Sequence, residues 1–62
     1  MGETIYKQLK EIAEMVDDRM LDAQKFDEGN SAAGTRVTKM LADVQKKAKA
    51  LRQEVFEVRK SR

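Results

Sequence analysis

The sequence predicts an all-α protein: a two-helix antiparallel hairpin with a coiled-coil-like seam, dimerising into a four-helix arrangement. Three observations predict it. Proline is absent and glycine occurs only three times in 62 residues, while strong helix formers (Ala, Glu, Lys, Gln, Leu, Met) are abundant. Apolar residues recur at three- and four-residue steps in both halves of the chain. Between the two periodic runs lies a short polar segment, Glu28-Gly29-Asn30-Ser31, with the residue types that end one helix and start another. The chain reads as one helical domain over 1–62, with helix one at about 3–27, a turn at about 28–31 and helix two at about 32–60.

In the first half, Ile5, Leu9, Ile12, Val16, Met20, Ala23 and Phe26 follow steps of 4, 3, 4, 4, 3 and 3, the spacing of one helix face. A strict heptad would place Arg19 on the seam. The step from Val16 to Met20 carries the apolar stripe past it, so the reading sets Arg19 on the flank beside Asp18 and Asp22. Met15 and Leu21 widen the apolar surface beyond what a two-stranded seam needs, as in a helix with more than one neighbour.

Helix one is expected to stop near Asp27. Gly29 is free to take the left-handed conformation that closes a helix, and Asn30 or Ser31 offers a side-chain oxygen to cap the next one. The other reading of this segment is a kink in one continuous helix, since an interior glycine costs only about 1 kcal/mol against alanine.

In the second half, Val37, Leu41, Val44, Ala48, Leu51, Val55 and Val58 alternate steps of 4 and 3 without a miss. At about 1.5 Å per residue such a helix is roughly 40 to 45 Å long. Two helices joined by a short turn form an antiparallel hairpin. At 62 residues such a pair is marginal by itself, and without cysteine no disulfide can brace it. A homodimer is therefore expected to cover the apolar surface left over around Met15, Met20, Leu21, Met40 and Phe56.

Charge is divided along the chain. Residues 1–35 hold four Lys or Arg against eight Asp or Glu, a net −4; residues 36–62 hold nine against three, a net +6. With Val37, Val44, Leu51 and Val58 on the seam, helix two turns Lys39, Lys46, Gln53 and Lys60 outward, with Arg36 and Lys49 beside them. Such a rib can meet the phosphates of a duplex with salt-sensitive affinity and little base readout; read more plainly, it is a solvated helix face. At the start of helix two, Gly34, Thr35 and Arg36 lie where free backbone N–H groups and the helix dipole favour an anion. There Gly34 either admits a phosphate close to the backbone or lets the two helices pack closely.

The residues give no support to catalysis. There is no histidine, and Ser31 and Ser61 have no base nearby in sequence. The row Glu11, Glu14, Asp18 and Asp22 has helical spacing but no preorganised loop or pocket, so it reads as a solvated face or as the electrostatic partner of helix two. No cofactor, metal or small-molecule substrate is expected. No apolar run approaches the roughly 20 residues that cross a bilayer, no secretory leader pattern opens the chain, and a membrane-surface role is disfavoured by the acidic half and the lack of tryptophan.

The run Gly29-Asn30-Ser31-Ala32-Ala33-Gly34-Thr35-Arg36, followed by a long helix with Lys39, Lys46-Lys47 and Leu51-Arg52 and ending Val55-Phe56-Glu57-Val58-Arg59-Lys60, resembles the bacterial histone H1-like proteins of the Hc1 type. The likeness covers about residues 23–60. It implies a non-catalytic, nucleoid-associated protein of the cytoplasm that binds double-stranded DNA and helps compact the chromosome. Gly34, Thr35 and Arg36 match the family's run directly; Lys39, Lys46, Lys49 and Lys60 match as parts of a basic helix.

These readings converge on a DNA-binding hairpin that contacts the phosphate backbone through Gly34, Thr35, Arg36, Lys39, Lys46, Lys49 and Lys60. RNA is left open as a ligand. The alternative is a helical oligomerisation or adaptor module, in which the basic limb is consumed by ion pairs with the acidic one and binds no nucleic acid.

Overall fold

Helices α1 (Gly2–Asp17), α2 (Met20–Asp27) and α3 (Ser31–Lys60) follow one another along the chain. The structure, a computed structural model, describes residues 2–62, with side chains from Thr4 onward. Among the described residues there is no strand. α1 and α2 form one bent limb and α3 the other. Phe26 meets Gly34, Asp22 meets Arg36, Glu11 meets Lys47 and Gln8 meets Glu54, a ladder of partners that only an antiparallel hairpin can make.

The connection between the limbs is built as the sequence predicts. The Gly29 N–H donates to Phe26 O and the Asn30 N–H to Lys25 O, the paired closure in which the residue past the C-cap swings to positive φ; Gly29 does so at 106°. A side chain in that conformation is strained, which is why glycine stands there. Asn30 then starts α3: its Oδ1 accepts from the Ala33 N–H at 3.1 Å. Removing such a cap typically costs about 1 kcal/mol. The segment is a full turn, not a kink.

The first limb departs from the expected single helix over 3–27. At Asp18 and Arg19 the α-helical ladder gives way: the Arg19 N–H bonds Val16 O, one residue short of the α-helical partner, and Arg19 sits at φ −110°, ψ 8°. Two causes lie in the sequence. Asp17 and Asp18 put adjacent carboxylates at the negative end of the α1 dipole, with no basic residue in that last turn, and aspartate is a weak helix former. On the far side of the break Asp22 falls in the first turn of α2, where a carboxylate is favoured.

The seam differs from the expected stripe. The first limb turns Ile5, Gln8, Ile12, Met15, Arg19 and Asp22 toward α3, the strict heptad, with Ala23 beside them. Arg19 is therefore half-buried on the seam, and Met20 faces outward at 58% exposure. On α3, Val37, Val44, Leu51 and Val58 face inward as predicted, but Met40 and Glu54 take the places expected for Leu41 and Val55, and Ala48 is exposed. The rotation has a polar cause. Gln8 Nε2 donates to Glu54 Oε2 at 2.8 Å, and Lys47 Nζ lies 3.9 Å from Glu11 Oε2, so hydrogen bonds and charge draw that side of α3 toward α1.

The core that results is thin. Only Ala33 and Leu51 are buried among the described residues, and the hairpin is a rod of 49 × 16 × 11 Å. Its radius of gyration is 14.7 Å, against about 10.6 Å for a compact chain of this length. The hairpin has two broad faces. One carries the Asp22–Arg36, Glu11–Lys47 and Gln8–Glu54 contacts; the other carries Leu9, Leu41 and Val55, all more than a third exposed.

Candidate nucleic-acid interface

The basic rib is carried by α3, a 30-residue helix with a side-chain cap at its start and Arg59 and Lys60 in its last turn, where cations suit the helix dipole. Steps of 7, 3 and 11 residues place Lys39, Lys46, Lys49 and Lys60 on the solvent side of α3, with Lys39 and Lys49 at its edges, where they also line grooves against the first limb. From Lys39 to Lys60 the row extends roughly 30 Å. All four are exposed, and among the described residues none of them forms an ion pair. The Lys60 ammonium lies 5.6 Å from the centroid of the Phe56 ring, close enough for a cation–π contact that leaves its outer side open.

Among the described residues, two basic side chains of the α3 limb are taken by the acidic one. Arg36 donates from Nε and Nη2 to the same Asp22 oxygen at 3.1 and 2.9 Å, and Lys47 stands against Glu11. Asp22 is the centre of the tighter pair: its side chain is 14% exposed, and Arg19 approaches its other oxygen at 3.8 Å. The hydrogen bond from Arg36 holds the Asp22 carboxyl below its ordinary value, against a smaller opposing effect of desolvation, and the charges of Arg36, Arg19 and Lys25 push the same way. The same contact raises Arg36 above its ordinary range.

The turn residues have distinct surroundings. Gly34 is half-buried under Phe26, and a Cβ built on it would overlap the ring atoms Cδ1 and Cε1. Its missing side chain is thus filled by the other limb, the close-packing role of the two open to it. The Thr35 hydroxyl reaches back to Ser31 O at 3.5 Å and remains exposed. Gly34 and Arg36 are brought against the first limb, whereas Thr35, Lys39, Lys46, Lys49 and Lys60 are left facing outward.

Arg52 and Arg59 belong to the basic surface and were not singled out by sequence. Both are exposed, have no ion pair among the described residues and border the apolar face beside Val55. Their signal was present: each follows a seam residue, Leu51 or Val58, by one position, which puts it at the rim of a helix face.

Among the described residues no group of three Asp, Glu, His or Cys side chains is arranged to hold a metal ion, because Glu11 and Asp22 are turned to cations of the facing limb. No helix of the described residues is long and apolar enough to cross a membrane. Comparison with curated proteins and with solved structures gave no match. Over residues 6–61, nearly its whole length, the chain matches the family described as histone H1-like protein Hc1, and it belongs to that family.

Proposed function

We propose that this protein binds double-stranded DNA on the nucleoid, acts without catalysis, and contacts the phosphate backbone through the outward side of α3 with little regard to base sequence. The observation that carries this is the unequal use of charge: among the described residues the acidic limb takes Arg36 and Lys47, and leaves Lys39, Lys46, Lys49, Arg52, Arg59 and Lys60 without an ion pair. An adaptor whose basic limb existed to satisfy its acidic one would pair these residues, so the geometry favours a polyanion outside over a carboxylate row within. A straight rib of cations matches a duplex, whose charge recurs about every 1.7 Å along its axis. The rib has no aromatic interleaved between Lys39 and Lys49, so base stacking has little to work with.

Thr35 extends the contact toward the start of α3, and Arg36, held by Asp22 in the free protein, joins it only to the extent that the carboxylate releases it. Gly34 supports them by letting Phe26 close the hairpin beneath. The protein is read as acting as a homodimer.

Electrophoretic retardation of arbitrary duplex DNA across a salt series tests the reading. Four to five phosphates neutralised per hairpin correspond to a slope of log affinity against log salt of about −4. Replacing Lys39, Lys46 and Lys49 with glutamine is expected to reduce that slope by about 2 to 3 with helix content unchanged. Absence of retardation even at low salt, in a folded sample, defeats the proposal.

A further inference from the structure

The two broad faces of the hairpin are chemically unlike. One is closed by its own ion pairs and hydrogen bonds across the limbs. The other presents Leu9 from α1 and Leu41, Ala48 and Val55 from α3, side chains that the chain itself does not cover.

The exposed area is large enough for a partner to cover. The hairpin exposes 5360 Å², whereas a compact folded chain of 7.1 kDa exposes about 4,100 Å². The excess of roughly 1,300 Å² is more than the ~800 Å² that each partner contributes to a standard interface. Burying such an apolar face is the dominant favourable term available to a chain with two buried residues among those described.

Charge at the rim says what the occupant is. Along α3 the apolar face is bordered by Arg52 and Arg59; along the first limb it is bordered by Asp27 near Phe26 and, by helical spacing, by Asp17 and Lys10, and as whole limbs residues 1–35 carry a net −4 and residues 36–62 a net +6. A surface that is basic along one limb and acidic along the other complements itself when turned about a two-fold axis parallel to the helices. Setting like limbs together would bring the two cationic α3 limbs side by side.

We propose that the apolar face seats a second copy of this chain, with α1–α2 of each copy lying along α3 of the other. This gives the self-association put forward above its surface and its pairing. In the four-helix bundle every neighbouring pair of helices is antiparallel, acid limbs border basic limbs, and the two basic ribs lie at opposite corners. The outward lysines stay free, so the arrangement does not depend on DNA.

Sedimentation equilibrium of the full chain without DNA tests the surface. A mass of twice the single chain is expected at micromolar concentration, and Leu9→Glu or Leu41→Glu is expected to weaken association roughly thirtyfold or more, while Ala50→Glu, outside the face, leaves it unchanged. A single-chain mass at every concentration, or a dimer indifferent to both glutamates, overturns the proposal. Should the glutamate variants lose their helix, a mixture of Ala13→Cys and Ala48→Cys chains decides: mild oxidation is expected to link the two variants to each other in preference to like with like. Equal or exclusive linkage of like chains overturns the pairing. Because no DNA is present, failure here leaves the DNA-binding reading standing, and a dimer that retards no duplex sinks that reading alone.

Discussion

Arg36 and Asp22 join the two limbs one helical turn from the connection: the guanidinium Nε and Nη2 both reach one carboxylate oxygen, at 3.1 and 2.9 Å. The pair sits on the seam but near its edge, with the arginine side chain 47% exposed, so its contribution is modest and its pH dependence is the clearer signature. Asp22 titrates below its ordinary value of 3.8 in the folded chain, so the native state keeps the carboxylate charged more readily than the unfolded one. The stabilisation is whole above that ordinary value and is lost as pH falls through the folded one. The difference in melting temperature between the wild type and Asp22→Asn is therefore expected to stay constant from neutrality to about pH 4 and to close below it. A difference that shrinks already between pH 7 and 5 contradicts the assignment.

The same pair also restrains a phosphate ligand. In the free protein Arg36 is occupied by Asp22, and a duplex must displace that carboxylate to use it. Asp22→Asn is expected to strengthen duplex binding and to steepen the salt slope by up to about 0.9, one additional phosphate. Arg36→Ala is expected to leave the wild-type slope nearly unchanged while abolishing the effect of Asp22→Asn. Equal slopes for the wild type and Asp22→Asn would place Arg36 outside the interface.

Gly34 and Phe26 form a second contact between the limbs whose strength can be read by substitution. Alanine at a helix interior position ordinarily gains up to about 1 kcal/mol over glycine. Here the added Cβ meets the Phe26 ring, so the ring must leave its seat, and overpacking of this kind costs about 1 to 3 kcal/mol. Gly34→Ala is expected to lower the melting temperature of the wild type by several degrees and to raise it in a Phe26→Ala background. An increase in both backgrounds shows that the ring yields freely and that glycine stands there for another reason.

The helices, the reversal at Gly29 and the division of charge were legible in the sequence because each depends on local rules: propensity, capping and the sign of side chains. The choice between adjacent faces was not. Positions 40 and 41, or 54 and 55, lie 100° apart on a helix, and either set continues the run from Val37 to Val58. Hydrophobicity alone favours Leu41 and Val55. The structure turns in Met40 and Glu54, because a hydrogen bond from Gln8 and the attraction of Glu11 for Lys47 act on that side. Arg19 was set on the flank for the same reason, as a charge avoiding an apolar seam; it is accepted there because Asp22 stands one turn on with Arg36 opposite. The break at Asp18 was legible in principle, in two adjacent aspartates at a helix C-terminus, but a stripe that continues across it hides the signal.

Apolar faces paired in the proposed manner fix how the protein holds DNA. The two copies of α3 lie at diagonal corners of the bundle, so the ribs of Lys39, Lys46 and Lys49 point in opposite directions, and one duplex cannot reach both without wrapping a bundle only two helices wide. The dimer is expected to bridge two duplexes. With one duplex immobilised on beads and a second labelled in solution, the wild type should bring the label down at a protein concentration that saturates the first, and the capture should fail at high salt. Leu41→Glu separates association from DNA contact: a hairpin deprived of its partner keeps its own rib and is still expected to retard a single duplex about as well as the wild type, because one duplex engages one rib, while capture of the labelled duplex is lost. Capture by the Leu41→Glu variant at wild-type levels would show that one hairpin suffices to bridge, and the diagonal placement of the ribs would have to be abandoned.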